Sequence, residues 1–292
     1  MQPNLPATEH QNRAAILSQA LPYFKRYHGA TIVVKYGGNA MVDEDLKRAV
    51  MDDIVLLSLV GVRPVLVHGG GPEISETLKR MGKESTFVHG LRVTDAETVE
   101  VVEMVLAGKT NKGIVSLLQR AGAKAVGLSG RDGDLFDARK ILSRGVDVGY
   151  VGEVTSVNPE VLDVLAAAGY IPVISTVGED EDGHALNINA DHAAGQIAAA
   201  LKAAKLILLT DVPGVYEDYS DKSTFLSEMT AAKAREMLAS GKADKGMIPK
   251  MEGCLMALDG GCERAHILDG RVPNSILTEI FTTEGCGTML VP

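Results

Sequence analysis

VLVHGGGPEIS, residues 65–75, joins an apolar run to three consecutive glycines and then to a proline. The run has no polar alternation, which suits a strand of a parallel sheet covered on both faces. Pro72 is a favoured first residue of a helix, and residues 72–82 continue as one. The stretch is therefore a strand–turn–helix unit. Its glycine turn has two readings. It is a tight connection and nothing more, or it offers unpaired main-chain N–H groups and the positive end of a helix to an anion.

The same alternation extends in both directions. Further strands are expected at 31–36, 64–68, 124–129, 171–175, 205–210 and 265–269. Helices are expected between them at 44–60, 72–82, 95–107, 111–121, 159–168, 191–203, 230–240 and 248–259. Several of these close on glycine, as helix C-termini often do. Residues 135–157 suggest a β-hairpin insertion. The expected fold is α/β, a three-layer αβα sandwich with a mostly parallel central sheet. A polar stretch at 178–184 marks a soft boundary, giving a lobe over 29–178 and another over 179–292 on one continuous sheet. Residues 1–28 form a helical arm in which Leu17, Leu21 and Phe24 share a face and Pro22 predicts a kink. The arm has two readings: a helix packed on its own domain, or one that interlocks subunits.

The 29 Lys and Arg against 38 Asp and Glu give a net charge of −9, and no basic tract is present, which argues against nucleic acid and anionic membranes as partners. The three cysteines, Cys254, Cys262 and Cys286, fit no zinc or CxxC spacing and are expected as reduced thiols. No signal-peptide pattern and no membrane-length apolar run appears, so the cytoplasm is the expected location.

Ligands of open α/β sheets bind beyond the carboxyl ends of the strands, so motifs there carry most information. TIVVKYGGNAM (31–41) ends a strand on Lys35 and follows it with Gly37 and Gly38. HGLRVTD (89–95) puts Arg92, a planar fork suited to carboxylates, before a helix. In ALNINADHAAG (185–195), Asp191 is either a helix N-cap or, with Asn187 and Asn189, part of a polar ligand loop. LLTDVPGVY (208–216) carries Asp211 and Gly214 in a turn that could also cradle a nucleotide. KGMIPK (245–250) places Lys250 at a helix start, where a cation opposes the helix dipole. The GKT at 108–110 is not a phosphate loop, because Glu103 stands where the motif needs its first glycine. No GxGxxG follows the first strand, which speaks against a dinucleotide site.

KYGGNAM, VHGGGPEI, GLRVT, NINAD, LTDVPGVY and GMIPK together, in this order, resemble the amino acid kinase family. The resemblance runs from about residue 10 to the C-terminus. Within the family it is nearest to the branch that phosphorylates N-acetyl-L-glutamate in arginine biosynthesis; the aspartate, glutamate and carbamate kinases are the near rivals. It implies transfer of a phosphoryl group from ATP to the side-chain carboxylate of acetylglutamate. Lys35 and Lys250 would then be the transition-state cations, with Asp191 holding them. Gly70, Gly71, Arg92 and Asn187 would bind substrate, and Gly37, Gly38 and Gly69 the phosphate. Asp211, Gly214, Tyr216 and Lys245 would line the nucleotide site, with Mg2+ held mainly by the phosphates. The arm and the tail HILDGRVPNSILTEIFTTEGCGTML (266–290) resemble the arginine-inhibited members. That implies a homo-oligomer, a hexamer built as a trimer of dimers, and an arginine site at Tyr23, His266, Glu284 and Gly287. It also admits a PII signalling protein as a partner, as in some relatives.

The chemistry of such a reaction agrees with these residue types. A carboxylate with an ordinary pKa of about 4.3 is already ionised at neutral pH and needs no general base. The obstacle is the approach of an anion to a polyanion, which fixed cations and N–H groups relieve.

Overall fold

Alternate residues of the strand Thr31–Tyr36 feed two separate cores, Val33 into one and Ile32, Val34 and Tyr36 into the other. The computed structural model describes residues 7–244 and 246–292. This strand is the fourth neighbour from one edge of an eight-stranded sheet. The order is Ala125–Ser129, Ile171–Ser175, Arg63–His68, Thr31–Tyr36, Lys205–Thr210, Ala265–Asp269, Thr288–Val291 and Glu228–Thr230. The first six are mutually parallel, and Thr288–Val291 turns antiparallel to its neighbour Ala265–Asp269. These six are the strands expected from the apolar runs.

Helices Glu44–Leu59, Asn111–Arg120 and Ser275–Phe281 cover one face through Met51, Ile54, Leu118 and Ile276. Helices Ala190–Ala200 and Ile248–Asp259 cover the other through Ala193, Ile197 and Met251. The three layers follow from strands that are apolar on both sides.

Three features depart from the sequence reading. The hairpin of Phe136–Ser143 and Val146–Val157 closes into a small barrel with Val177–Glu179 and Ala185–Ile188. The polar residues 180–184 are thus the turn between two antiparallel barrel strands. The helix expected at 95–107 is α-helical only over Ala96–Glu103 and runs on through a π-helical segment, Met104–Thr110, into Asn111–Arg120. Gly108, Lys109 and Thr110 lie in that segment rather than on a strand-to-helix turn, which removes them from phosphate-loop geometry. The edge strands Glu228–Thr230 and Thr288–Val291, and the tail helix Ser275–Phe281, are too short for a periodic signal.

The arm forms a helix over Ala7–Tyr27 that runs through Pro22. Among the described residues its contacts with the body lie near its end: Tyr27 is buried, and Phe24 meets Phe281 edge-on at 5.0 Å. Leu17 and Leu21, which share a face with Phe24 along the helix, are 65% and 49% exposed, and Ile16 beside them is 64% exposed. Among the described residues no helix is long and apolar enough to cross a membrane.

Candidate active site

Lys35 ends its strand on the same face as Val33, because side chains alternate along a strand. That face is the one under helices Ala190–Ala200 and Ile248–Asp259. The two helices pack unusually close. A Cβ at Gly195 would stand 2.4 Å from Gly253 O, and one at Gly253 would stand 2.4 Å from Asp191 O. This approach brings Asp191, in the first turn of one helix, to Lys250, in the first turn of the other.

Both cations converge on the one carboxylate. Lys35 Nζ is 3.0 Å from Asp191 Oδ1, and Lys250 Nζ is 3.4 Å from Oδ2. Lys250 also donates to Gly246 O at 3.2 Å. Lys35 and Asp191 are buried, at 8% and 5% exposure. Burial alone would push the Asp191 carboxyl up; Lys35 and Lys250 outweigh it and hold the group below its ordinary value. The N-cap of this helix is Asn189, whose Oδ1 accepts from Asp191 N at 2.9 Å and His192 N at 3.1 Å. Asp191 is therefore released from the capping role and faces the lysines.

The two glycines after Lys35 are explained by what surrounds them. A Cβ at Gly37 would stand 2.8 Å from Lys35 Nζ, so a side chain there would displace the ammonium. Gly38 has φ +69°, in the left-handed region, and a Cβ on it would meet the Asp211 carboxylate at 2.7 Å.

Two cavities lie near this ion triad: Lys250 borders one, and Ala190, the neighbour of Asp191, borders the other. One, of about 210 Å3, is bordered by Gly69, Gly70, Gly71, Arg92, Asn187 and Asn189. The other, of about 390 Å3, is bordered by Asp211, Gly214, Tyr216 and Lys250, with Val212, Met237 and Met247 supplying an apolar wall. Lys245 lies outside the described residues. Arg92 sits on the two-residue strand Leu91–Arg92 rather than in a loop. Its guanidinium donates to Gly71 O and Ser75 Oγ, both at 2.9 Å, and to Ser85 Oγ, and lies 4.8 Å over the Phe87 ring. Asn187 Nδ2 donates to Thr94 Oγ1 at 3.3 Å. Among the described residues one group of three possible metal ligands exists, Asp180, Asp182 and His184 on the barrel turn, and it borders neither cavity.

Two dissimilar cavities beside a lysine–carboxylate–lysine triad suit group transfer to an anionic acceptor. The amino acid kinase family profile matches residues 30–269. The chain belongs to the amino acid kinase family. It is 55% identical over 287 residues to the acetylglutamate kinase of Pelotomaculum thermopropionicum, covering 95% of this chain and 97% of that one. It is 56% identical to the acetylglutamate kinase of Caldanaerobacter subterraneus subsp. tengcongensis, covering 95% and 93%. Among solved structures, the N-acetylglutamate synthase of Neisseria gonorrhoeae superposes with a TM-score of 0.84 at 27% identity. That match covers 96% of this chain and 63% of the synthase, so this chain spans less than two thirds of that enzyme. A Giardia carbamate kinase, with a TM-score of 0.63 at 18% identity over 90% of this chain and 99% of that one, shares the fold. As a member of this family the protein is a kinase that uses ATP.

The tail and the arm meet at a third cavity. Tyr23, His266, Glu284 and Gly287 all border a hollow of about 390 Å3. Glu284 is exposed at its rim. The buried carboxylate is Glu279, which sequence reading passed over: its Oε1 is 2.8 Å from His266 Nδ1, and Lys205 Nζ is 2.8 Å from His266 Nε2. Burial pulls the Lys205 ammonium down to about 8, against the pull of Glu279. No local signal marks Glu279 or Lys205, because their partnership spans the tail helix and a central strand.

Proposed function

We propose that this kinase transfers the γ-phosphoryl group of ATP to the side-chain carboxylate of N-acetyl-L-glutamate, yielding the acyl phosphate and ADP. The observation that carries the reading is the pairing of Lys35 and Lys250 on Asp191, with the Tyr216 cavity reaching Lys250 and the glycine-, arginine- and asparagine-lined cavity reaching Asn189 and Ala190 just before Asp191. The high identity to acetylglutamate kinases over nearly the full chain supports the substrate. The acceptor carboxylate is ionised, so no base is required. Gly70, Gly71, Gly37 and Gly38 supply main-chain N–H groups, while Gly69, expected as a phosphate ligand, has its own N–H taken by Tyr36 O and serves the turn; Lys35 and Lys250 supply charge, and Asp191 keeps the two ammonium groups from driving each other apart. Asp211, Gly214, Tyr216 and Lys245 serve the nucleotide.

Magnesium enters this reading as part of Mg-ATP. The carboxylates bordering the nucleotide cavity are Asp211 and Asp244, while Asp191 is engaged by both lysines. These residues do not form a cage for a divalent ion, so no step is assigned to a protein-held metal. The two lobes, 29–178 and 179–292, then divide the work unevenly: the acceptor cavity draws on both, through Gly70 and Arg92 and through Asn187, and the nucleotide cavity on the second.

Purified protein with Mg-ATP is expected to release ADP with acetylglutamate, and the acyl phosphate is expected to be trapped by hydroxylamine. Turnover with aspartate or carbamate but not acetylglutamate would sink the substrate assignment. Arg92→Lys is expected to raise the KM for acetylglutamate by about 10–100-fold, since loss of charge-assisted hydrogen bonds is worth about 1.5–3 kcal/mol. A raised KM for ATP instead would remove Arg92 from the acceptor site.

Feedback by arginine belongs to the same proposal. The tail cavity offers carboxylates, Glu279 and Glu284, and cations, Arg26, Lys205 and Arg264, which suits a zwitterion with a guanidinium. The uncovered Ile16, Leu17 and Leu21 support an arm that packs against another subunit in a cytoplasmic homo-hexamer. Arginine is expected to inhibit. The double variant Ile16→Glu, Leu17→Glu is expected to leave a smaller particle by light scattering, while Tyr23 and the cavity stay in place. A particle of unchanged mass contradicts the arm.

A further inference from the structure

We propose that His68 and Asn111 form a positioning pair that fixes the plane of the Gly69–Gly70 peptide, so that the Gly70 N–H is aimed at the transferred phosphoryl group. The inference rests on the kinase reading above and assigns residues that the family motifs do not explain.

Both side chains are fully buried, at 0% exposure, and their positions are 43 apart in the chain. Asn111 stands just past the π-helical segment Met104–Thr110. A π turn alters the register of the helix that follows it, and such turns recur at functional sites. Here the altered helix drives Asn111 into the carboxyl ends of three adjacent strands. Its Nδ2 is 2.8 Å from Val173 O, 3.2 Å from Leu128 O and 3.1 Å from His68 Nε2. A side-chain oxygen could not face two carbonyl oxygens, so the amide orientation is set. Room for its oxygen comes from Gly127, where a Cβ would stand 1.8 Å away.

This orientation dictates the tautomer of His68. Facing an N–H donor, Nε2 must accept, and the ring proton resides on Nδ1. Nδ1 lies 2.8 Å from Gly69 O and donates to it. Burial keeps the imidazole neutral by lowering its pKa to about 4. Gly69 N donates to Tyr36 O at 3.1 Å, so both polar groups of Gly69 are held.

The consequence follows from peptide planarity. Gly69 O and Gly70 N–H belong to one trans peptide unit and point in opposite directions. Pinning the oxygen toward the buried ring turns the N–H away from it, on a loop that borders the acceptor cavity. Gly70 is the N-cap of its helix, where no helical carbonyl reaches the N–H. A three-glycine loop has little rigidity of its own, and the pair supplies it.

The test compares kcat, both KM values and thermal unfolding for wild type, His68→Asn and His68→Gln. Asparagine places an N–H near the Nδ1 position and keeps the bond to Gly69 O. Glutamine reaches toward Asn111 and loses that bond. His68→Asn is expected to stay within about threefold of the wild-type kcat, and His68→Gln to fall by about tenfold or more with both KM values within about twofold. Asn111→Ala leaves the ring but removes what sets its tautomer, and it too is expected to lower kcat and spare KM, which covers a poorly folding histidine variant. Equal kcat for the two histidine variants overturns the pair, as does a loss that appears in KM alone. The wild-type assay tests the substrate reading separately, so an unchanged kcat in His68→Gln beside an active wild type overturns only the positioning role.

Discussion

Lys35→Ala lowers kcat by about 10²–10³-fold and leaves both KM values near those of wild type. The expectation comes from where the ammonium is held. It stands at the end of a central strand, 8% exposed, with its Nζ within 3.0 Å of Asp191 and with no side chain at Gly37 to push it aside. A cation fixed in a buried place is not reorganised when the reaction occurs, so its effect is greatest where charge is redistributed, during phosphoryl transfer. In the proposed reading, ground-state binding falls to other groups: Arg92 and Asn187 for the acceptor, and the Tyr216 cavity for the nucleotide. Steady-state kinetics on both substrates decide the matter. A kcat within about threefold of wild type would refute the role, since removal of one preorganised donor costs far more.

Asp191→Asn affects both turnover and stability. The carboxylate is the only group shown within ion-pair distance of both Lys35 and Lys250 among the described residues. An amide leaves two neighbouring ammonium groups uncompensated in a site from which water is largely excluded. Breaking a buried ion pair by removing one partner costs about 3–5 kcal/mol, and kcat is expected to fall by about 10²-fold as the lysines separate. The pH dependence has a definite sign. The lysines hold the folded-state pKa of Asp191 below its ordinary value. Its stabilisation is therefore complete above the ordinary carboxylate pKa of about 3.9 and is lost as the pH falls through the folded value. Denaturant unfolding of wild type and variant is expected to give a constant gap between pH 5 and 8 and a shrinking one below about 4. A gap that opens instead between pH 5 and 8 would mean that some other group carries the effect.

Much of this was legible beforehand because the signals are local. The runs at Thr31–Tyr36, Lys205–Thr210 and Ala265–Asp269 carry unbroken apolar stretches at Ile32–Val34, Leu206–Leu209 and Ile267–Leu268, which in a parallel sheet is what burial on both faces requires. Lys250 stood out because a cation at a helix start opposes the dipole, and the reason is now visible in its contact with Asp191. Asp191 itself was ambiguous. Only the position of Asn189, which accepts the two main-chain N–H bonds, shows that the aspartate is not the cap. The barrel was half seen: its hairpin has a sequence signal, but Val177–Glu179 and Ala185–Ile188 have three and four residues and are strands only because the hairpin offers them edges.

The sequence by itself determined the strand–helix alternation, the sheet with helices on both faces, and which loops carry glycine, lysine and asparagine. These follow from periodicity, turn chemistry and helix termini, all of which act within a few residues. Tertiary structure alone decided which of those groups meet. Lys250 reaches Asp191 across 59 positions because two helices cross at Gly195 and Gly253. His68 reaches Asn111 because a π turn redirects a helix. Lys205 is linked through His266 to Glu279 because a short tail helix packs beside a strand's end. Such contacts depend on distances set by packing between elements far apart in the chain, and no local pattern of residues encodes them.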